Sequence, residues 1–136
     1  MKTVQFAAKF ENLDEIREFV GNIARKGGFS DKDVYNIQLA TDEAASNIIE
    51  HAYQNSPDKV LDLACGMKGD VITIILTDYG ESFDPSEVPL PDLKADLSDR
   101  KIGGLGIFLM RKLMDEIDYK PGSNKSNVLT MTKRKR

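Results

Sequence analysis

The sequence predicts an α+β domain, a two-layer α/β sandwich with a mainly antiparallel sheet and helices on one face. Three observations carry this. Two segments near the N-terminal end place apolar residues at helical spacing, and two β-branched, aliphatic runs flank Lys68-Gly69-Asp70 as a hairpin. A third helical run is then followed by two further strand-like segments. The resulting order of strand, two helices, two strands, helix and two strands is that of a sheet with its helices on one side.

Residues 2–10 mix β-branched and aromatic residues and read as the first strand. Asn12 reads as a helix N-cap with Glu15 at the capping-box position, ahead of Ile16, Phe19, Val20 and Ile23. Gly27-Gly28 stops that helix, and Ser30 or Asp31 starts a longer one carrying Val34, Ile37, Ala44, Ile48 and Ala52 to about Tyr53. On a helical wheel, Asn36, Ala40, Glu43, Asn47 and Glu50 form a separate stripe beside this apolar arc. Residues 59–67 and 71–76 are the hairpin strands, and Asp78 falls at the carboxyl end of the second. Residues 81–101 hold Pro85, Pro89 and Pro91 with little regular signal; a connection so long is read as a lid. A helix runs from Leu105 to about Met114, and residues 116–121 and 127–133 are the last strands, with 122–126 as their turn.

A chain of 136 residues suits one domain, 1–136. The net charge of −3, from 22 acids and 19 bases, gives no overall attraction to nucleic acid or anionic membrane. The basic run Lys133-Arg134-Lys135-Arg136 is read as a solvated end. Cys65, the single cysteine, has no partner for an intrachain disulfide and reads as a small core residue in a reducing compartment. No apolar run approaches the roughly 18 residues of a membrane span, and the first residues lack the apolar core of a signal peptide. The expectation is a cytoplasmic protein.

Three short segments carry the chemistry. Glu43 and Asn47 stand four residues apart, so a carboxylate and a carboxamide share one helix face. Asp78-Tyr79-Gly80 sets an acid beside a glycine. Gly103-Gly104-Leu105-Gly106 precedes a helix, where free N–H groups and the positive end of the dipole favour phosphate. Taken singly, each has an ordinary alternative: a solvated helix face, a strand end, a flexible loop. In this order and together they read as one nucleotide site.

These segments resemble the N box (Glu43-x-x-x-Asn47), G1 box (Asp78-x-Gly80) and G2 box (Gly104-x-Gly106) of the ATPase superfamily that includes gyrase, histidine kinases and MutL. The small size, Asp42-Glu43-Ala44, and the run Ile102 to Asp115 narrow the resemblance to the stand-alone anti-sigma factor serine/threonine kinases of the RsbW and SpoIIAB type. The resemblance implies the histidine-kinase-like ATPase fold, with ATP and Mg²⁺ bound together. Asn47 would be the Mg²⁺ ligand and Glu43 the general base that takes the proton of the attacking hydroxyl. Asp78 would accept from the adenine amino group while Gly80 lets the backbone pass close to the base. Gly104, Leu105, Gly106 and Ile107 would surround the phosphates, and Thr130 would supply an adenine-site hydroxyl. The turn Ser123-Asn124-Lys125-Ser126 departs from the superfamily by lacking its Gly-Thr pair.

The implied function is ATP-dependent phosphorylation of a serine or threonine on a small anti-anti-sigma protein of the STAS type, with a sigma factor as the other partner. The alternative is a nucleotide-dependent binding module without significant phosphoryl transfer. Relatives of this type act as homodimers. Here residues 2–10 form a potential sheet edge, with Phe6 and Phe10 of like parity.

Overall fold

Gly69, at φ +59°, makes the tight turn that lets the two most apolar strands fold back on one another. Along both, burial alternates with the two-residue period of a strand: Leu61, Leu63 and Cys65 on one, and Ile72, Ile74 and Leu76 on the other, are fully buried. This hairpin is the middle of a five-stranded sheet. The computed structural model describes residues 1–53, 58–80, 104–121 and 126–136.

The strands are β1 (Lys2–Ala7), β2 (Val60–Lys68), β3 (Val71–Asp78), β4 (Glu116–Pro121) and β5 (Asn127–Arg134). They lie in the order β1-β2-β3-β5-β4, and every neighbouring pair is antiparallel. The helices are α1 (Leu13–Lys26), α2 (Asp31–Asn47), which runs on through a π-helical turn at Ile48–Ala52, and α3 (Gly104–Leu113). They cover the face carrying Leu63, Ile74, Leu76 and Met131, whose side chains are excluded from water with Ile16, Val20 and Ile37 from the helices. At about 1.5–3 kcal/mol for each buried aliphatic side chain, this layer holds the two halves of the sandwich together. Cys65 lies within it, its thiol pushed up to about 12 by burial, as a core residue.

α1 and α2 approach closely because Gly21 has no side chain: a Cβ there would lie 2.3 Å from Gln38 Nε2. That amide donates to the carbonyl of Arg17 at 3.0 Å, and Arg17 Nη1 donates to Asp42 Oδ1 at 2.7 Å. α2 starts as expected, with Ser30 extended and its Oγ accepting from Asp33 N at 3.2 Å.

Other expectations are corrected. β1 ends at Ala7, and Phe10 lies in a 3₁₀ turn, Phe10–Asn12, ahead of α1. Phe6 packs on the core while Phe10 is 45% exposed, so the two do not share a strand face. Asn12 is helical rather than extended and does not cap α1; its Nδ2 donates to the carbonyl of Ala7 at 2.8 Å, fastening the turn out of β1. The basic run is partly docked rather than wholly a solvated end, with Arg134 and Arg136 still exposed. Lys133 and Arg134 belong to β5, Lys133 Nζ donates to the carbonyl of Leu113 at the end of α3 (2.7 Å), and Arg136 Nη2 donates to Asp115 Oδ1 (2.9 Å). The lid read at 81–101 lies outside the described residues. Among the described residues no helix is long and apolar enough to cross a membrane.

Candidate functional site

Asn47 is the last residue of α2, and only 6% of it is exposed. Its Nδ2 is buried and has no hydrogen-bond partner among the described residues. A buried amide left unpaired costs about 1–3 kcal/mol, and such groups are rare in folded chains. The side chain borders a void of about 20 Å³ together with Ala44, Ile48, Asp78, Met110, Tyr119 and Leu129. That space holds one water at most. A purine enters only if the surrounding side chains move apart, and Met110 ties the void to α3.

Glu43 stands one turn before Asn47 on α2 and is half-buried. Burial pushes its carboxyl above the ordinary range, and the charges of Asp42 and Glu50 add to the rise. The stripe on α2 is mixed: Ala40 is fully buried and Asn47 nearly so, Asn36 and Glu43 are half-buried, and Glu50 is exposed.

Asp78 closes β3 with 4% of its surface exposed. Its Oδ1 accepts from Gly80 N and from Asn127 Nδ2, both at 2.9 Å, and Asn127 Nδ2 also donates to the carbonyl of Gly80 at 3.0 Å. Both donors meet the same oxygen. Burial raises the Asp78 pKa, and the hydrogen bonds from Asn127 and Gly80 partly offset the rise.

Gly104, Leu105, Gly106 and Ile107 form the first turn of α3. The first four N–H groups of a helix have no partner within it, so this turn offers main-chain donors at the positive end of the dipole. Of the sequence-predicted residues, Asn47 of α2 and Asp78 of β3 line one void, which α3 reaches through Met110.

Thr130 does not join them. Leu129 lines the void, and the two-residue alternation of a strand puts its neighbour on the opposite face of the sheet, where Thr130 pairs with Ile75 and Asp118. The position that meets Asp78 across β3 and β5 is Asn127. Sequence reasoning missed it because an asparagine at the start of a strand reads as a turn residue; only the register of β3 against β5 singles it out. Tyr53 was also missed. Its hydroxyl donates to the carbonyl of Val60 at 2.6 Å and accepts Tyr79 N–H at 2.7 Å.

Residues 6–133 match the family model of the histidine kinase-like ATPase domain. The serine-protein kinase RsbW of Halalkalibacterium halodurans is 37% identical over 131 residues, 93% of this chain and 78% of that protein. The RsbW serine-protein kinase of Listeria monocytogenes is 30% identical over 132 residues, 94% and 84% of the two. Among solved structures, the RsbU and RsbW domains of a Mycobacterium tuberculosis protein superpose with a TM-score of 0.64 at 16% identity, covering 99% of this chain and 32% of that one. A chain of the SiaB–SiaC complex from Pseudomonas aeruginosa gives 0.63 at 12% identity, covering 98% and 89%. At these identities the structural likeness speaks for the fold, and the family rests on the sequence relatives. The chain belongs to the histidine kinase-like ATPase family and, within it, to the group of serine-protein kinases represented by RsbW.

Proposed function

We propose that the protein binds ATP with Mg²⁺ at the void between α2, β3 and α3 and transfers the γ-phosphoryl group to a serine or threonine of a small STAS-type anti-anti-sigma protein. The observation that carries the reading is the orphaned amide of Asn47, buried beside Asp78. A half-turn about χ2 exchanges its nitrogen and oxygen, so the same side chain can present a carboxamide oxygen to a hard cation. Magnesium bound there would neutralise charge on the phosphates.

The remaining steps belong to the chain's own residues. Asp78, fixed through Oδ1, has Oδ2 to accept the adenine amino group, which selects adenine over guanine. Gly80 passes the base without a Cβ. The first turn of α3 donates main-chain N–H groups to the phosphate oxygens. Glu43 takes the proton of the attacking hydroxyl as its oxygen bonds to the γ-phosphorus and the bridging P–O bond to the β-phosphate breaks, releasing ADP. Its raised pKa makes its carboxylate a stronger proton acceptor than an ordinary glutamate.

In its other role the protein is proposed to hold a sigma factor, from the cytoplasm, as a homodimer. β1 lies at the sheet edge. Sedimentation of the pure protein giving only monomer mass would remove the dimer.

Incubation with γ-labelled ATP and candidate STAS proteins from the same genome is expected to label one of them on serine or threonine. ATP binding by calorimetry with no label on any partner would instead favour the nucleotide-dependent binding module.

A further inference from the structure

Tyr53 comes directly after the π-helical turn at the end of α2, and its N–H donates to the carbonyl of Ile48, five residues back, at 3.0 Å. The turn holds one residue more than an α-helical one, an irregularity that concentrates at functional positions. One extra residue rotates the next side chains by about 100° around the helix axis. Tyr53 is thereby aimed at the sheet. Only 4% of it is exposed, and its hydroxyl is engaged as donor and as acceptor, giving to Val60 O at the start of β2 and receiving from Tyr79 N just past the end of β3.

Packing alone would be satisfied by phenylalanine. The hydroxyl does something the ring does not: it grips the main chain between Asp78 and Gly80. We propose that Tyr53 is a positioning residue for base recognition, holding the Asp78-Tyr79-Gly80 segment so that the Asp78 carboxylate faces the adenine amino group. This inference rests on the reading of Asp78 as the base-contacting residue. Asn127 grips the same segment from β5, through Asp78 Oδ1 and Gly80 O. The loop is thus held by side chains from both layers of the sandwich, and the helical layer does so six residues after Asn47. Burial first, and then the charge of Asp78, keep the Tyr53 phenol above its usual range against the opposing effect of Tyr79 N–H, so it stays protonated and able to donate to Val60.

The test compares wild type with Tyr53→Phe in the full chain, by calorimetry with Mg-ATP and with magnesium tripolyphosphate, which has no base. ATP affinity is expected to fall about tenfold in the variant, the loss of one hydrogen bond with its partner left unpaired, while tripolyphosphate affinity stays within about twofold. Equal loss for both ligands, or none for either, overturns the inference. Amide exchange of the wild type gives a second reading that needs no variant. ATP is expected to slow exchange of the Tyr79 amide and tripolyphosphate to leave it unchanged; equal protection by both overturns the inference. Wild type that binds tripolyphosphate but not ATP removes the base-site reading of Asp78 itself, and this inference with it.

Discussion

Asn127 and Asp78 face each other at the ends of β5 and β3, and the Asn127 carboxamide donates at 2.9 Å to the Asp78 oxygen that also receives Gly80 N–H. Register and hydrogen bonding therefore converge on one oxygen of a nearly buried acid. The acid is held ionisable by the two bonds that oppose its burial.

Asn127→Leu removes one of those bonds and frees the Gly80 carbonyl. The Asp78 pKa should rise further, and ATP affinity at neutral pH should fall by about tenfold, the scale of one lost hydrogen bond to a charged group. Because the further rise leaves less of Asp78 ionised as pH falls, the loss should be larger at acid than at neutral pH. Calorimetry at the two pH values checks this; a loss independent of pH would place Asn127 outside the control of Asp78 ionisation.

Glu43→Gln keeps the shape of the side chain and removes its basicity. Nucleotide binding should persist while phosphorylation of the partner falls roughly 10²–10⁴-fold. Because burial and the neighbouring acids hold the Glu43 carboxyl above the ordinary range, the acid limb of the wild-type rate profile should sit above that range too. Equal rates in the two proteins would end the assignment of Glu43 as base.

Asp78→Asn separates stability from function. The folded Asp78 pKa is raised, so the folded state holds its proton more tightly than the unfolded chain. The stability this group contributes is complete below the unfolded pKa and is lost as pH rises through the folded one. At neutral pH the carboxylate is therefore a liability of the ligand-free protein. The asparagine variant should melt at the same temperature or higher at neutral pH, with a flatter dependence on acid, while its ATP affinity falls. A lower melting temperature at neutral pH would contradict the sign.

Much of this was legible in the sequence. The β2–β3 hairpin was readable because period-two burial and Gly69 agree, and the long helix because its apolar arc and Ser30 cap agree. Glu43, Asn47 and Asp78 were visible as polar residues at motif spacing, and the fold brings Asn47 and Asp78 to one void. Thr130 and Asn127 were not separable, since which of two nearby residues faces Asp78 depends on strand parity, and a one-residue shift of register reverses it. The start of α1 misled for a different reason: Asn12 has the right residue type for a cap, but its amide is used by the carbonyl of Ala7. The basic run looked solvated because its partners, Leu113 O, Asp115 and Asp70, are distant in sequence.

Asn47 gives the last prediction, since the same side chain sets a cost on the free protein and supplies the metal ligand. Its Nδ2 is buried and unpaired among the described residues, so replacing the carboxamide by an apolar group of similar size removes an unmet demand. Asn47→Leu should therefore leave the ligand-free protein as stable as wild type or more so, by up to about 1–3 kcal/mol. Magnesium should no longer strengthen nucleotide binding in that variant, while the weak, metal-independent contact of the base with Asp78 persists. Thermal melting together with ATP titration, each with and without magnesium, reads both halves. A variant that melts far below wild type would show that the amide is satisfied in the free protein, and one whose ATP binding still responds to magnesium would place the metal ligand elsewhere.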